Sequence, residues 1–213
     1  MGWEMIPSIV STITHSSGTF QAYEHKDLPS TRLLSDEEIP ALCDRDVTDL
    51  KDSFQKATVE ADEVYLAVLP TPDMISYLHK WGDVLNFKIR GKTPEVHGAI
   101  CDAADTWIYW YHGFDKILIS RVRIPPEGSQ GTSDALASLL LHALNEARKW
   151  GFPKVTAWDP SPELLVALEL IKKRLDVEVQ TGQRPNSITS VRWKDPDHTK
   201  KTILYLNETY AAS

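Results

Sequence analysis

Basic charge is in short supply in this chain: 23 Lys and Arg stand against 30 Asp and Glu, a formal net charge of −7 over 213 residues. That balance argues against nucleic acid or an anionic membrane as the main partner. Cysteine is scarcer still, with Cys43 and Cys101 alone and neither in a CxxC or Cys/His spacing. A disulfide framework and a zinc site are both excluded on that pattern, and reduced thiols in a cytoplasmic protein are expected. No apolar run approaches the roughly 18 residues of a membrane-spanning helix. The opening MGWEMIPSIV lacks the basic start and long apolar stretch of a secretory signal, and Ile6 stands where a myristoylation signal needs Ser or Thr. Internal repeats, low-complexity tracts, a Ser/His/Asp order and a dinucleotide fingerprint are absent as well.

What is present is an apolar fraction of 42% with seven tryptophans, enough for a core. The length suits one domain over 1–213, an N-terminal strand and irregular connection over 1–34 followed by a main body over 35–213. Trp3–Thr14 alternates and is β-branched, so a strand is expected there, paired with the sheet or with a second copy of the chain in a homodimer. Ser35 ahead of Asp36, Glu37 and Glu38 opens a helical region, which the pattern divides into two short helices broken near Asp44. VYLAVLP reads as a buried strand. Thr71 and Pro72 start a long helix, with Gly82 as a candidate kink. VHGAICDA and TWIYWYHG read as antiparallel strands joined near Ala104 and Asp105.

The most informative stretch follows. KILISRVRI is a strand, PPEGSQGTSD a glycine-bearing loop, ALASLLLHALNEARKWG an amphipathic helix and KVTAWDP a second strand. This is a β-α-β unit whose two strands are predicted to be parallel neighbours. The unpaired N–H groups and positive dipole end at the helix start suit a pyrophosphate. They equally suit an ordinary strand-to-helix connection. Ser161-Pro162-Glu163 starts a further helix with Leu164, Leu168 and Ile171 inward, and VEVQTG, SITSVRW and KTILYLN close the chain as strands. The expected architecture is a mixed α/β sheet with helices on both faces.

LISRVRI, NEARKWG, VTAWDPSPELL and SITSVRW, together with LCDRD, AVLPTPDMISYLHKW and HGAICDAADTWIYW, resemble the carboxy-terminal half of the fungal lysine N-acetyltransferase-like family. That family belongs to the GCN5-related N-acetyltransferase (GNAT) superfamily. The opening Met1-Gly2-Trp3 is similar to the end of the domain that precedes this half in longer relatives, so the chain is expected to begin where that domain ends.

The resemblance implies a GNAT-like acyl-CoA N-acyltransferase fold. It also implies acetyl-CoA as co-substrate without a metal, and transfer of acetyl to a small primary amine such as lysine. The implied pyrophosphate loop runs from Glu127 to Asp134, with Gly128, Ser129, Gln130, Gly131, Thr132 and Ser133 as donors. The thioester end is expected between Arg123, Ile124 and Trp158, and Glu127 is the candidate base. Several departures favour an alternative, a catalytically degenerate domain that binds a ligand or partner. Gln130–Ser133 does not keep the family spacing, Pro125 and Pro126 remove two donors, and Asp134 brings negative charge to the phosphate. ELLVALELIKKRL also lacks the tyrosine that usually protonates the departing thiolate.

Among other candidates, His79 and His142 read as structural helix histidines. Trp107, Tyr109 and Trp110 are groove candidates by composition. Alternation sets Trp107 and Tyr109 on one face and Trp110 with Ile108 on the other, so part of the set is core.

Overall fold

The structure is a computed structural model and describes residues 4–6, 8–15, 22–57, 60, 62–125, 131–184, 188–194 and 199–204. The strands are β1 (Glu4–Ile6), β2 (Ile9–His15), β3 (Arg32–Leu33), β4 (Glu63–Leu66), β5 (Gly98–Cys101), β6 (Thr106–His112), β7 (Lys116–Arg123), β8 (Lys154–Trp158), β9 (Val177–Gln183), β10 (Thr189–Val191) and β11 (Lys201–Leu204). The helices are α1 (Ile39–Lys56), α2 (Pro72–Arg90), α3 (Thr132–Lys149) and α4 (Pro162–Arg174). A seven-stranded mixed sheet in the order β3-β5-β6-β7-β8-β2-β9 forms the centre. Its one parallel pairing among the described residues, β7 with β8, is crossed by α3 as the β-α-β pattern predicts.

Two apolar layers flank the sheet. On one face α1 and α2 bring Ile39, Cys43, Ile75 and Leu78 onto Ile100, Trp107, Tyr109, Tyr111 and Leu118. On the other, α3 and α4 cover Ile108, Trp110, Ile117, Ile119, Val155 and Ala157. The aromatic strand therefore alternates faces as expected, and all of Trp107–Tyr111 is buried core rather than groove. Both cysteines are free and buried.

Helix ends follow local chemistry. The Thr71 and Ser161 hydroxyls accept from Met74 N at 3.3 Å and Leu164 N at 3.2 Å, with Pro72 and Pro162 at the first helical positions. Gly91 closes α2 in the left-handed region at φ 70°. Leu164, Leu168 and Ile171 point inward.

Four expectations change. The region after Ser35 is a single helix, α1, with no break at Asp44; the Thr48 hydroxyl donates back to the Asp44 carbonyl at 2.9 Å, and Asp46 is buried on the inner face. Helix α2 runs on through Gly82, whose missing side chain admits the β6 backbone: a Cβ would lie 3.0 Å from the His112 carbonyl oxygen. VYLAVLP yields only β4, half-buried and paired in parallel with β11 in a separate two-stranded sheet. The N-terminal stretch divides into β1, which pairs β10, and β2, which lies between β8 and β9. Within the chain β2 is thus paired on both sides, whereas β1 has β10 as its one ladder partner among the described residues.

Candidate functional site at the divergence of two strands

The central strand of the site is β7, and one residue in it sets the geometry. Tyr109 faces Arg121 across the ladder while Trp110 faces Ile119, which leaves Ser120 as an extra residue, a β-bulge. Leu118 sits with the α1–α2 layer, so strict alternation would send Val122 and Ile124 there too. The bulge reverses this. Val122 and Ile124 join the α3 layer, and Arg121 and Arg123 turn toward α1. Ser120 is fully buried, and its hydroxyl has no partner among the described residues.

The same bulge marks where β7 and β8 part. Their pairing runs from Lys116 with Lys154 to Ile119 with Ala157 and stops, although β7 continues to Arg123. The strands enclose a cleft of about 250 Å³ between α1, the end of β8 and the start of α4.

Ion pairs define its α1 side. Arg121 and Asp46 form a two-pronged pair, with Nε to Oδ2 at 2.6 Å and Nη2 to Oδ1 at 2.8 Å, and both are buried. Arg123 donates to Asp49 Oδ2 and Asp105 Oδ2, each at 2.7 Å, and lies over the Trp107 ring with its Cζ 4.7 Å from the centroid. Asp46 and Asp49 share a helix face one turn apart. Trp158, at the end of β8, lines the cleft and carries the Arg184 guanidinium 3.7 Å from its ring centroid. Burial lowers the pKa of Arg184 from its ordinary value, and the charge of Asp159 opposes that shift. Asp159 adopts φ 41° and accepts from Ile9 N at 2.7 Å, which joins the end of β8 to β2. Glu163, in the first turn of α4, is the one cleft carboxylate with no hydrogen bond or ion pair among the described residues.

Arg123, Ile124 and Trp158, placed together from the sequence, do meet in this cleft. Arg123 is not a free donor, since its charge is matched by two aspartates. Glu127, Gly128, Ser129 and Gln130 lie outside the described residues. Gly131 is the residue before α3, at φ 89°, and its carbonyl accepts from Ala135 N at 2.9 Å. Thr132 and Ser133 belong to the first turn of α3 rather than to the loop, and Thr132 is buried. His79 is more deeply buried than a half-exposed helix residue, and His142 bonds Thr31 Oγ1 at 3.0 Å in a structural group with His25 and Ser138. Sequence reading missed Asp46, Asp49, Arg121 and Glu163. The signal for the first was an aspartate on the inward spacing Ile39, Cys43, Asp46, Leu50.

The family model described as the LYC1 GNAT-like C-terminal domain matches residues 15–213. The chain belongs to that family. No curated protein matches it. Two similar solved structures are GCN5-related N-acetyltransferases. The one from Sphaerobacter thermophilus has 11% identity and a TM-score of 0.45, over 86% of this chain and 53% of that one. The one from Kribbella flavida has 11% identity and a TM-score of 0.41, over 85% of this chain and 38% of that one. The chain thus spans about half the length of the first and less of the second. Among the described residues no helix is long and apolar enough to cross a membrane, and no group of His, Cys, Asp or Glu is arranged for a metal ion.

Proposed function

We propose that the cleft between β7 and β8 receives the thioester arm of acetyl-CoA and passes its acetyl group to a primary amine such as lysine. The observation that carries this reading is the divergence of the two parallel strands at the Ser120 bulge. Beyond Ile119 the β8 side of β7 has no ladder partner among the described residues, so its backbone groups are placed to suit the amides of an extended acyl chain. In the reaction the amine nitrogen attacks the thioester carbon, the sulfur leaves with the bonding pair, and a base takes the amine proton. Glu163 lies on the cleft with no hydrogen bond or ion pair among the described residues, while Glu127 is the base suggested by resemblance. The pyrophosphate would rest between Gly128 and Asp134, where α3 begins. Membership of a GNAT-like family supports acetyl-CoA as co-substrate. A net charge of −7 and two unpaired cysteines support a cytoplasmic protein that does not bind nucleic acid.

A second reading, a degenerate domain that binds a ligand or protein without chemistry, has its own support. Helix α4 contains no tyrosine, and Asp46, Asp49 and Asp105 already neutralise both arginines of β7. Thermal unfolding with acetyl-CoA, CoA and buffer, followed by a thiol-release assay with lysine, separates the two. Stabilisation with turnover supports the transferase. Stabilisation alone supports the binding module, and the absence of both leaves acetyl-CoA no role.

A further inference from the structure

Away from the cleft, three histidine rings lie in a row, with His79 of α2 stacked on His97 and His97 edge-on to His112 of β6. His97, just before β5, is 2% exposed at its side chain and has a carboxylate at each ring nitrogen. Nδ1 is 3.0 Å from Asp36 Oδ1, in the turn ahead of α1, and Nε2 is 2.9 Å from Asp83 Oδ1 on α2. Only an imidazolium can donate to both, because a neutral ring has one N–H and turns a lone pair toward the other carboxylate. We propose that His97 is a proton-operated latch: protonated, it ties the head of α1 to α2 and the sheet, and on losing its proton it releases Asp36.

Asp36 is the arm that moves. Its side chain is 66% exposed against 25% for Asp83, and it borders a cavity of about 230 Å³ shared with Ile39, Pro72, Ser76 and His79. Water can replace the imidazole there. The charged and titratable surroundings leave His97 as the group that switches. From α2, His79 stacks on it with ring centroids 4.4 Å apart, and Lys80 lines the same cavity. From β6, His112 stands edge-on at 6.0 Å and bonds Glu146 of α3 at 3.0 Å, with Lys149 beyond at 3.9 Å. Tyr109 meets His79 edge-on at 6.4 Å. Burial, with His97 and His112 nearby, holds the pKa of His79 well below its ordinary value, and burial also lowers that of His112 despite Glu146. Both are neutral near pH 7. For His97 burial pulls downward too, but Asp83 and Asp36 together outweigh it and raise the pKa above 6.5. The latch is therefore closed below about pH 6.5 and opens as the pH rises through that higher value. Because α1 also carries Asp46 and Asp49, loosening its first turns bears on the wall of the cleft.

The test needs no ligand. Imidazole proton NMR of the full chain should place the His97 midpoint above 6.5. Amide-exchange protection factors over residues 39–46 should fall roughly tenfold between about pH 6 and about pH 9 in the wild type. Asp36→Asn should abolish that fall, since a carboxamide N–H can donate to the neutral ring. His97→Gln should show low protection throughout. A midpoint at or below 6.5, flat wild-type protection, or an Asp36→Asn variant that follows the wild type overturns the latch.

Discussion

Arg121 and Asp46 form a buried two-pronged ion pair that fixes α1 to the bulged half of β7. Both side chains are at least 96% out of solvent, so neither charge has water to fall back on. Removing Asp46 takes a carboxylate partner away from a buried guanidinium. Asp46→Ala is expected to destabilise the fold by about 3–5 kcal/mol, read as a lower midpoint in urea unfolding. Replacing both residues with apolar groups of similar volume should restore much of that loss. A single variant with an unchanged midpoint would mean that the pair is solvated.

How much of this pair was legible in the sequence is instructive. The strand Lys116–Arg123, the helix after it and the parallel return strand follow from β-branching, amphipathic spacing and the length of the crossover. The direction of Arg121 does not, because it depends on one unmatched residue, Ser120. The bulge shows in the sequence only as a change of phase, from Ile117 and Ile119 to Val122 and Ile124, which the apolar Leu118 blurs. The division of the N-terminal stretch between two sheets was hidden for a related reason. A strand's partners lie far along the chain, and β2 finds its own at Lys154–Trp158 and Val177–Gln183. The cleft was half legible: Arg123, Ile124 and Trp158 came from the strand ends, while Asp46, Asp49 and Glu163 reach it from helices whose docking no local pattern specifies.

Gly82→Ala tests a close approach. In an exposed helix interior the change would stabilise by about 1 kcal/mol. Here the new Cβ would stand 3.0 Å from the His112 carbonyl oxygen and 3.2 Å from its nitrogen, both backbone atoms of a central strand. The strand cannot yield cheaply, so a net loss of about 1–3 kcal/mol is expected. A raised melting temperature would show that α2 can shift outward.

Acid stability should be governed by buried neutral histidines. Burial lowers the pKa of His142 to about 4, with the charge of His25 adding to the effect, and burial lowers His79 and His112 as well. Each binds a proton more readily in the unfolded chain than in the folded one. The contribution of these three histidines is therefore full above about pH 6.5 and declines as the pH falls toward 4, by at most about 1.4 kcal/mol per pH unit for each histidine. His142→Gln should make that slope shallower by one proton in urea unfolding measured from about pH 7 to pH 4.5. An unchanged slope would place His142 in contact with water.

The last expectation concerns the entry to α3. Gly131 holds φ 89°, a conformation that side chains rarely adopt, although a Cβ there would meet nothing within 4 Å among the described residues. Gly131→Val should thus act chiefly through the backbone, disturbing the turn that leads into α3. If that turn carries the pyrophosphate of acetyl-CoA, the variant should lose most of the ligand-induced rise in melting temperature. A ligand at about 100 times its dissociation constant contributes roughly 2.7 kcal/mol, so the loss is measurable. Glu163→Gln supplies the contrast, because it keeps the shape of the cleft wall and removes only a charge. It should bind acetyl-CoA as the wild type does, and transfer to lysine should fall if Glu163 takes the amine proton. Should both variants retain the full thermal shift, the loop is an ordinary helix entry and the cleft binds by another route. Should the wild type itself show no shift, the transferase reading fails before either variant is made.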